Sequence, residues 1–546
     1  MKAKPARQRD PETILVAQCA SVLSFFSFLY YLRQGDILLY GDAVAHINIA
    51  RRVFDSQTPG LLQLGTVWLP LPHLLMVPFL LSRWMWHTGI GGSIPSLIAY
   101  VFSVVGIFCL VRSNTPQSSG AAGRGLAWAA ALVFAVNPNL IYLQTTAMTE
   151  PLYLAFFIWV LVYFSEFLRG IRPPEQLPQP AFLSLRKSGL CVAAACLTRY
   201  DGWFLAAILW LVVLAAFFRR RDDIAFRRNF LRFTLIVAAV PVLWIAYNAA
   251  VYRNPLEFAN GPYSAKAIEQ RTSVPGNPPH PGASNLPMAG SFFLKAAQLN
   301  VAPGNWGRFW LGLALLGSLI VLTIESSYAA LLLLWIPLPF YVLSIAYSGV
   351  PIFLPVWWPH SIYNARYGLQ LLPAFAVFAL LGIYFLSRIL PYRKYKIALG
   401  MAFLILVGTS YAFIWHDRPI VFQEAWVNSR TRIALEERIA AFLSDVPPDS
   451  KFLMYLGDHV GAFERANVPL RRVIYDGNHR TWKQPFDPNG LWERALAEPK
   501  DYVDYVIALA GDPVALHVNQ SQLTTLEVIH VTGQPEAKIY ATNKRK

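Results

Sequence analysis

Apolar stretches long enough to cross a bilayer recur along the first three quarters of this sequence. They run from Ile14 to Leu32 and then over roughly 95–111, 126–145, 151–168, 188–199, 203–218, 232–251, 308–323, 328–347, 367–388 and 397–415. A span needs about 20 apolar residues, and in lipid every backbone polar group must be satisfied within the segment, so such spans are helices. The expected fold is mainly α: a polytopic helical membrane protein with about eleven transmembrane helices. Composition agrees, since 55% of the 546 residues are hydrophobic and only 14% are charged, where a soluble chain carries about 25%. The net charge of +16 is read as a topology signal and not as nucleic-acid binding. Cys19, Cys109, Cys191 and Cys196 fall inside apolar runs without metal-ligand spacing and are read as buried apolar cysteines. The first run lacks a small-residue cleavage site and reads as a span that is kept.

Positive charge sets the orientation. Lys2, Lys4, Arg7 and Arg9 hold the N-terminus in the cytoplasm. Four short loops carry Arg112 and Arg124; Arg169, Arg172, Arg186 and Lys187; Arg219, Arg220, Arg221, Arg227 and Arg228; and Arg393, Lys394 and Lys396. All four lie inside only if the apolar run 69–86, which contains Pro70, Pro72 and Pro78, does not cross. Residues 34–93 are therefore expected to form one outer loop with a juxtamembrane helix. A second outer loop, about 252–307, is dense in Pro, Gly, Asn and Ser, as a disordered segment or a functional lid would be. A third, about 348–366, carries Trp357, Trp358, His360 and Arg366. The membrane domain is expected over 1–415. Residues 416–546 turn polar and mixed, and read as a small extracytoplasmic α/β domain. It would have an amphipathic helix from Glu424 to Leu443 and strands near 451–456, 472–475, 502–508, 526–531 and 538–541. Its glycines form no dinucleotide fingerprint, so no cofactor is assigned.

This topology gathers four polar constellations at outer span ends: Asp42 with His46; Glu150; Arg199, Tyr200 and Asp201; and Arg366 with Tyr367. Each alone has an ordinary explanation, as a helix cap, a helix-N-terminal charge, a local ion pair or a snorkelling arginine. Together on one face they point to a shared cavity. Asp42 and His46, four apart, share a helix face and suit proton chemistry. Arg366, and after it Arg199, suit a two-pronged grip on phosphate. A divalent cation held by Asp42, His46 and Glu150 is an alternative; no metal site is assigned.

The layout over about residues 10–415 resembles the fold-type-C membrane glycosyltransferases, which include the lipid A aminoarabinose transferases and the protein O-mannosyltransferases. Asp42 matches the acidic residue of that family's first outer loop, Glu150 its second acidic residue, and Trp68-Leu69-Pro70-Leu71-Pro72 its Lys-Pro-Pro segment. Ala43 replaces the second carboxylate found beside the aspartate in many relatives, and no lysine precedes the prolines. The resemblance implies a membrane glycosyltransferase that moves a sugar from a polyprenyl-phosphate donor to a hydroxyl on a glycan, lipid or protein. In it, Asp42 and Glu150 would be catalytic, and His46, Arg199, Tyr200, Asp201, Arg366 and Tyr367 would bind substrate and phosphate. Single displacement inverts the anomeric carbon; retention would need Asp42 or Glu150 as nucleophile. A bacterial inner membrane fits the short loops. The alternative is a transporter or flippase of lipid-linked saccharides, which would show inverted repeats or polar groups at mid-span.

Overall fold

The computed structural model describes residues 10–115, 120–171, 179–272, 279–323, 326–478 and 488–542. Lys2, Lys4, Arg7, Arg9 and Arg172, used above to orient the chain, lie outside these residues. Among the described residues, nine helical segments are long and apolar enough to cross a membrane. The chain is a multi-pass membrane protein.

The two remaining expected spans differ from the reading above. The run 126–145 is divided: helix Gly120–Ala135 ends before Asn137, whose side chain caps a separate short helix, Pro138–Leu143. Pro138 has no backbone N–H to continue the first helix. The run 188–199 lies in a helix that starts earlier, Gln179–Cys196, and carries Arg186 and Lys187. The loop 252–307 is not uniformly irregular. Asn285 caps helix Leu286–Val301, which buries Ala289, Phe292, Phe293, Ala296 and Ala297. The apolar repeat in that helix outweighed the Pro- and Gly-rich flanks.

Helix Leu71–Leu80, opened by Pro70 and Pro72, has ten residues. It rises about 15 Å, half the hydrocarbon thickness, and does not cross. The next span, Ile90–Asn114, begins beside the helix Gly41–Arg52, where Gly92 packs against Ile47 and Ala147. Ser96 Oγ donates to Met148 O at 3.1 Å. The N-terminal ends of Ile90–Asn114, Glu150–Gly170, Asp201–Arg219 and the 365–389 segment thus share one end of the bundle. Arg112, Arg169, Arg219 and Arg388 lie in the last turns of these four helices, at the opposite end, whereas Arg186 and Lys187 lie inside the helix Gln179–Cys196. Midway, Trp306–Thr323 crosses Leu372–Ile389 at Gly317 and Gly382; a Cβ on Gly317 would overlap the Phe378 carbonyl oxygen.

After the span Arg393–His416 comes the helix Ile420–Asp445 and a five-stranded sheet: β1 (Phe452–Met454), β2 (Val473–Ile474), β3 (Tyr505–Leu509), β4 (Thr524–Ile529) and β5 (Ala537–Ala541). The order is β2-β1-β3-β5-β4. β1 pairs parallel with both β2 and β3, with Phe452 opposite Val473 and Tyr505. β3–β5 and β5–β4 are antiparallel. All three β1 residues are buried, as befits a strand covered on both faces. Phe442 of the long helix meets Tyr505 edge-on, with ring centroids 5.4 Å apart. The sheet region also docks on the loop after the first span, where Ser56 Oγ and Tyr475 OH lie 2.8 Å apart.

Candidate functional site

Three carboxylates open helices. Glu150 and Asp201 are the first residues of their helices, and Asp42 is the second residue of Gly41–Arg52. A negative charge in the first turn is favoured by the helix dipole and its free N–H groups. The fold brings these three ends together around two arginines.

Arg366 lies at the centre and is 3% exposed. Its Nη2 donates to Asp42 Oδ2 at 2.6 Å, its Nε to Glu150 Oε1 at 3.1 Å, and its Nη1 to Glu424 Oε1. Its backbone N–H donates to Glu424 Oε2 at 3.2 Å. Arg199 donates to Thr149 Oγ1 at 3.0 Å, Glu150 Oε1 at 3.1 Å, Asp201 Oδ1 at 3.1 Å and Tyr341 OH at 3.1 Å. Tyr341 OH in turn donates to Asp201 Oδ2 at 2.7 Å. Both guanidiniums lie 5.0 Å from the Tyr367 ring, and Arg366 also lies 5.1 Å from Tyr40.

Of the expected site residues, Asp42, Glu150, Arg199, Asp201, Arg366 and Tyr367 therefore form one network. Four carboxylates face two guanidiniums, so the two arginines read above as phosphate grips already spend donors on acids. Exposure separates the carboxylates. The Asp42 side chain is 42% exposed, against 1% for Glu150 and Glu424, and Asp201 is buried. Glu150 Oε1 accepts from both guanidiniums, and its Oε2 has no partner among the described residues.

His46 and Tyr200 stand beside this network and not in it. His46 Nδ1 lies 2.9 Å from His73 Nε2, and its ring is 4.5 Å from that of Trp68. Burial, then the charges of Arg199 and Arg366, push His46 down to about 3. Burial, then His46 and Arg52, hold His73 well below the usual histidine range. Both rings are neutral at physiological pH, one donating and one accepting. Tyr200 OH donates to Val67 O at 3.1 Å and its ring stacks on Phe258, so it anchors the Trp68 loop. For the alternative of a cation on Asp42, His46 and Glu150, His46 Nδ1 is turned to His73 and Glu150 Oε1 to two guanidiniums. Among the described residues no three metal-ligating side chains are grouped to hold an ion.

Glu424 and His73 were not singled out by sequence reasoning. Glu424 had a signal: with Ile420, Val421 and Ala425 it lies on the buried face of Ile420–Asp445, and a carboxylate on an apolar stripe needs a cation. Amides hold this corner. Asn139 Oδ1 accepts from Val421 N at 3.0 Å, and Asn300 Nδ2 donates to Ala365 O at 2.8 Å, next to Arg366. His73 had no signal, because its partner is 27 residues away.

No protein-family model matches this sequence, and no curated protein matches it. Solved structures do. The fold is similar to that of two ArnT structures. The chain aligns with ArnT from Cupriavidus metallidurans bound to undecaprenyl phosphate, with TM-score 0.54, 14% identity, and coverage of 97% of each chain. The apo state of the same protein gives TM-score 0.55 and 13% identity over 97% of this chain and 98% of that one. The likeness takes in the C-terminal sheet region as well as the bundle.

Proposed function

We propose that this chain is a membrane glycosyltransferase that moves a sugar from a polyprenyl-phosphate donor to a hydroxyl acceptor, with Asp42 as general base. The observation that carries the reading is the contrast within the network. Among its four carboxylates, Asp42 alone is widely open to approach, while Arg366 fixes it at 2.6 Å. A base must reach its proton and be held in place. The fold supports the donor class, since a structure of similar fold holds undecaprenyl phosphate.

In this reading the acceptor O–H gives its proton to Asp42 while its oxygen bonds the anomeric carbon. The bond from that carbon to the phosphate oxygen breaks, and the electron pair leaves with the polyprenyl phosphate. One displacement inverts the anomeric centre. Glu150 is buried between two guanidiniums, which suits it to hold Arg199 and Arg366 in place better than to attack a sugar. The positive-inside rule puts the Asp42 end, and with it the sheet region, on the extracytoplasmic face. A lipid donor then enters from the side, its tail in the bilayer. A flippase would need a polar path to the other end, where the span interiors instead bury Phe157, Phe164 and Phe167. The acceptor is a glycan, a lipid or a protein hydroxyl.

The test is to supply the purified chain with polyprenyl-phosphate sugars and a panel of hydroxyl acceptors. Release of free polyprenyl phosphate that depends on acceptor, with an inverted anomeric carbon by NMR, is the expected result. Transfer with retention would require a covalent intermediate and defeat the Asp42-base assignment.

A further inference from the structure

Two helices that open in the network, at Glu150 and at Asp201, enclose a second site at their other ends. A cavity of about 500 Å³ lies between the C-terminal ends of Ile90–Asn114, Glu150–Gly170 and Asp201–Arg219 and the 3₁₀ helix Ser326–Trp335. That volume is in the range of ligand sites. Arg169, Arg219 and Arg220 line it, and among the described residues no carboxylate does. Arg220 Nη2 donates to Ile171 O at 2.7 Å, and Ile171 lines the cavity too. The remainder is a buried amide and hydroxyl and an aliphatic wall that includes Leu168, Val212 and Leu333. An arginine at a helix C-terminus is favoured by the helix dipole whatever lies beyond it. The dipole alone does not gather three of them around one cavity with an aliphatic wall and no acid.

Helix length sets the depth of this site. From Glu150 to Arg169 the helix rises about 28 Å, and from Asp201 to Arg219 about 27 Å. The hydrocarbon core of a bilayer is about 30 Å thick. With the network at one boundary, the cavity lies at the headgroup level of the other, which the positive-inside rule makes the cytoplasmic one. Three guanidiniums lining one cleft attract an anion. The aliphatic wall suits a hydrocarbon chain. Among the described residues no aromatic ring lines the cavity, so a nucleotide base would find no stacking surface. A phospholipid carries both an anion and a chain, and basic sites between span ends on the cytoplasmic side hold anionic headgroups.

We propose that this cavity binds an anionic phospholipid of the inner leaflet, with its phosphate among Arg169, Arg219 and Arg220 and an acyl chain along Leu168, Val212 and Leu333. Guanidinium grips phosphate oxygens with paired N–H···O bonds. The site is separate from the Asp42 network and does not depend on glycosyl transfer. It bears on the network all the same. The lipid ties the far ends of two helices together, and Arg199 ties their near ends through Glu150 and Asp201. An occupied cavity thus holds the pair at both ends.

The test is native mass spectrometry and thermal melting of the purified full chain, delipidated in a non-ionic detergent and titrated with phosphatidylglycerol. Phosphatidylcholine with the same chains controls for net charge, and inorganic phosphate controls for the lipid tail. Phosphatidylglycerol should be retained and should raise the melting temperature; the other two should do neither at the same concentration. Arg169→Gln and Arg219→Gln should each weaken phosphatidylglycerol binding about 10-fold, the scale of a hydrogen bond to a charged group. Arg219→Lys should recover part of the loss. Arg228→Gln, in the same basic stretch but outside the lining, should stay within twofold of wild type. Equal retention of phosphatidylcholine by the wild-type chain overturns the proposal, and this arm needs no variant to fold. Displacement of the lipid by inorganic phosphate at equal concentration assigns the arginines to a soluble anion and overturns it too. A loss in Arg228→Gln as large as in Arg219→Gln shows diffuse attraction to the basic face, which also overturns it.

Discussion

Arg366 shows how one side chain can be both support and tool. It faces three carboxylates, two of them fully buried, and Arg366→Ala would leave Glu150 and Glu424 in a low-dielectric site without that counter-charge. Breaking a buried pair in this way costs about 3–5 kcal/mol. The expected result is a lower melting temperature together with transfer reduced several hundred-fold, on the scale of a lost charge-stabilising donor. Arg366→Lys should restore stability better than activity, because an ammonium cannot hold three acids in the geometry of a fork. Near-normal turnover in the alanine variant would remove Arg366 from the machinery. The residues Asp42, Glu150, Arg199 and Arg366 were legible in the sequence because an ionisable group at a span end needs a reason. The carboxylate excess was not, because Glu424 reaches Arg366 across 58 residues of chain.

At the scale of elements, the helix Gly41–Arg52 is the piece that couples the bundle to the sheet region. Asn48 Nδ2 donates to Glu464 Oε2 at 2.6 Å, and His87 Nδ1 lies 2.8 Å from Glu464 O. Burial, then the nearby Glu436, push Glu464 up to about 8, against the pull of Asn48, Arg465 and Arg432. The folded value lies above the ordinary 4.5, so the folded state holds a proton that the unfolded chain has lost. Stability from this group is whole below about pH 4.5 and falls as pH rises through about 8. Glu464→Gln should flatten that part of the melting-temperature profile. A profile that keeps its slope between those values in the variant would assign it elsewhere. Hydropathy found the nine long spans of the described residues, because burial in lipid is a property of the segment itself, but it also counted 126–145 and 188–199 as spans of their own; the five strands fall close to the short stretches expected. The break at Asn137-Pro138 and the buried helix Leu286–Val301 were harder. Each depends on local caps inside a run whose average character says otherwise.

For the whole molecule, the close crossing of Trp306–Thr323 on Leu372–Ile389 sets the 365–389 segment, and with it Arg366, at its depth. Gly317→Val should disrupt that crossing and lower both stability and transfer; an unchanged melting temperature would show the crossing to be loose. Orientation is testable with single cysteines in a background lacking the native four. Ser521→Cys in the sheet region should react from the outer side and Lys394→Cys from the inner side; the reverse pattern would invert the topology. The central claim is that the open carboxylate of this network removes the acceptor proton. It is tested most directly by a single-turnover assay on purified Asp42→Asn beside a measurement of donor binding. The account predicts transfer reduced at least 10²–10⁴-fold, the range of general-base loss, with donor binding and melting temperature kept. Transfer within a few-fold of wild type would contradict it and leave Asp42 as the helix-terminal partner of Arg366.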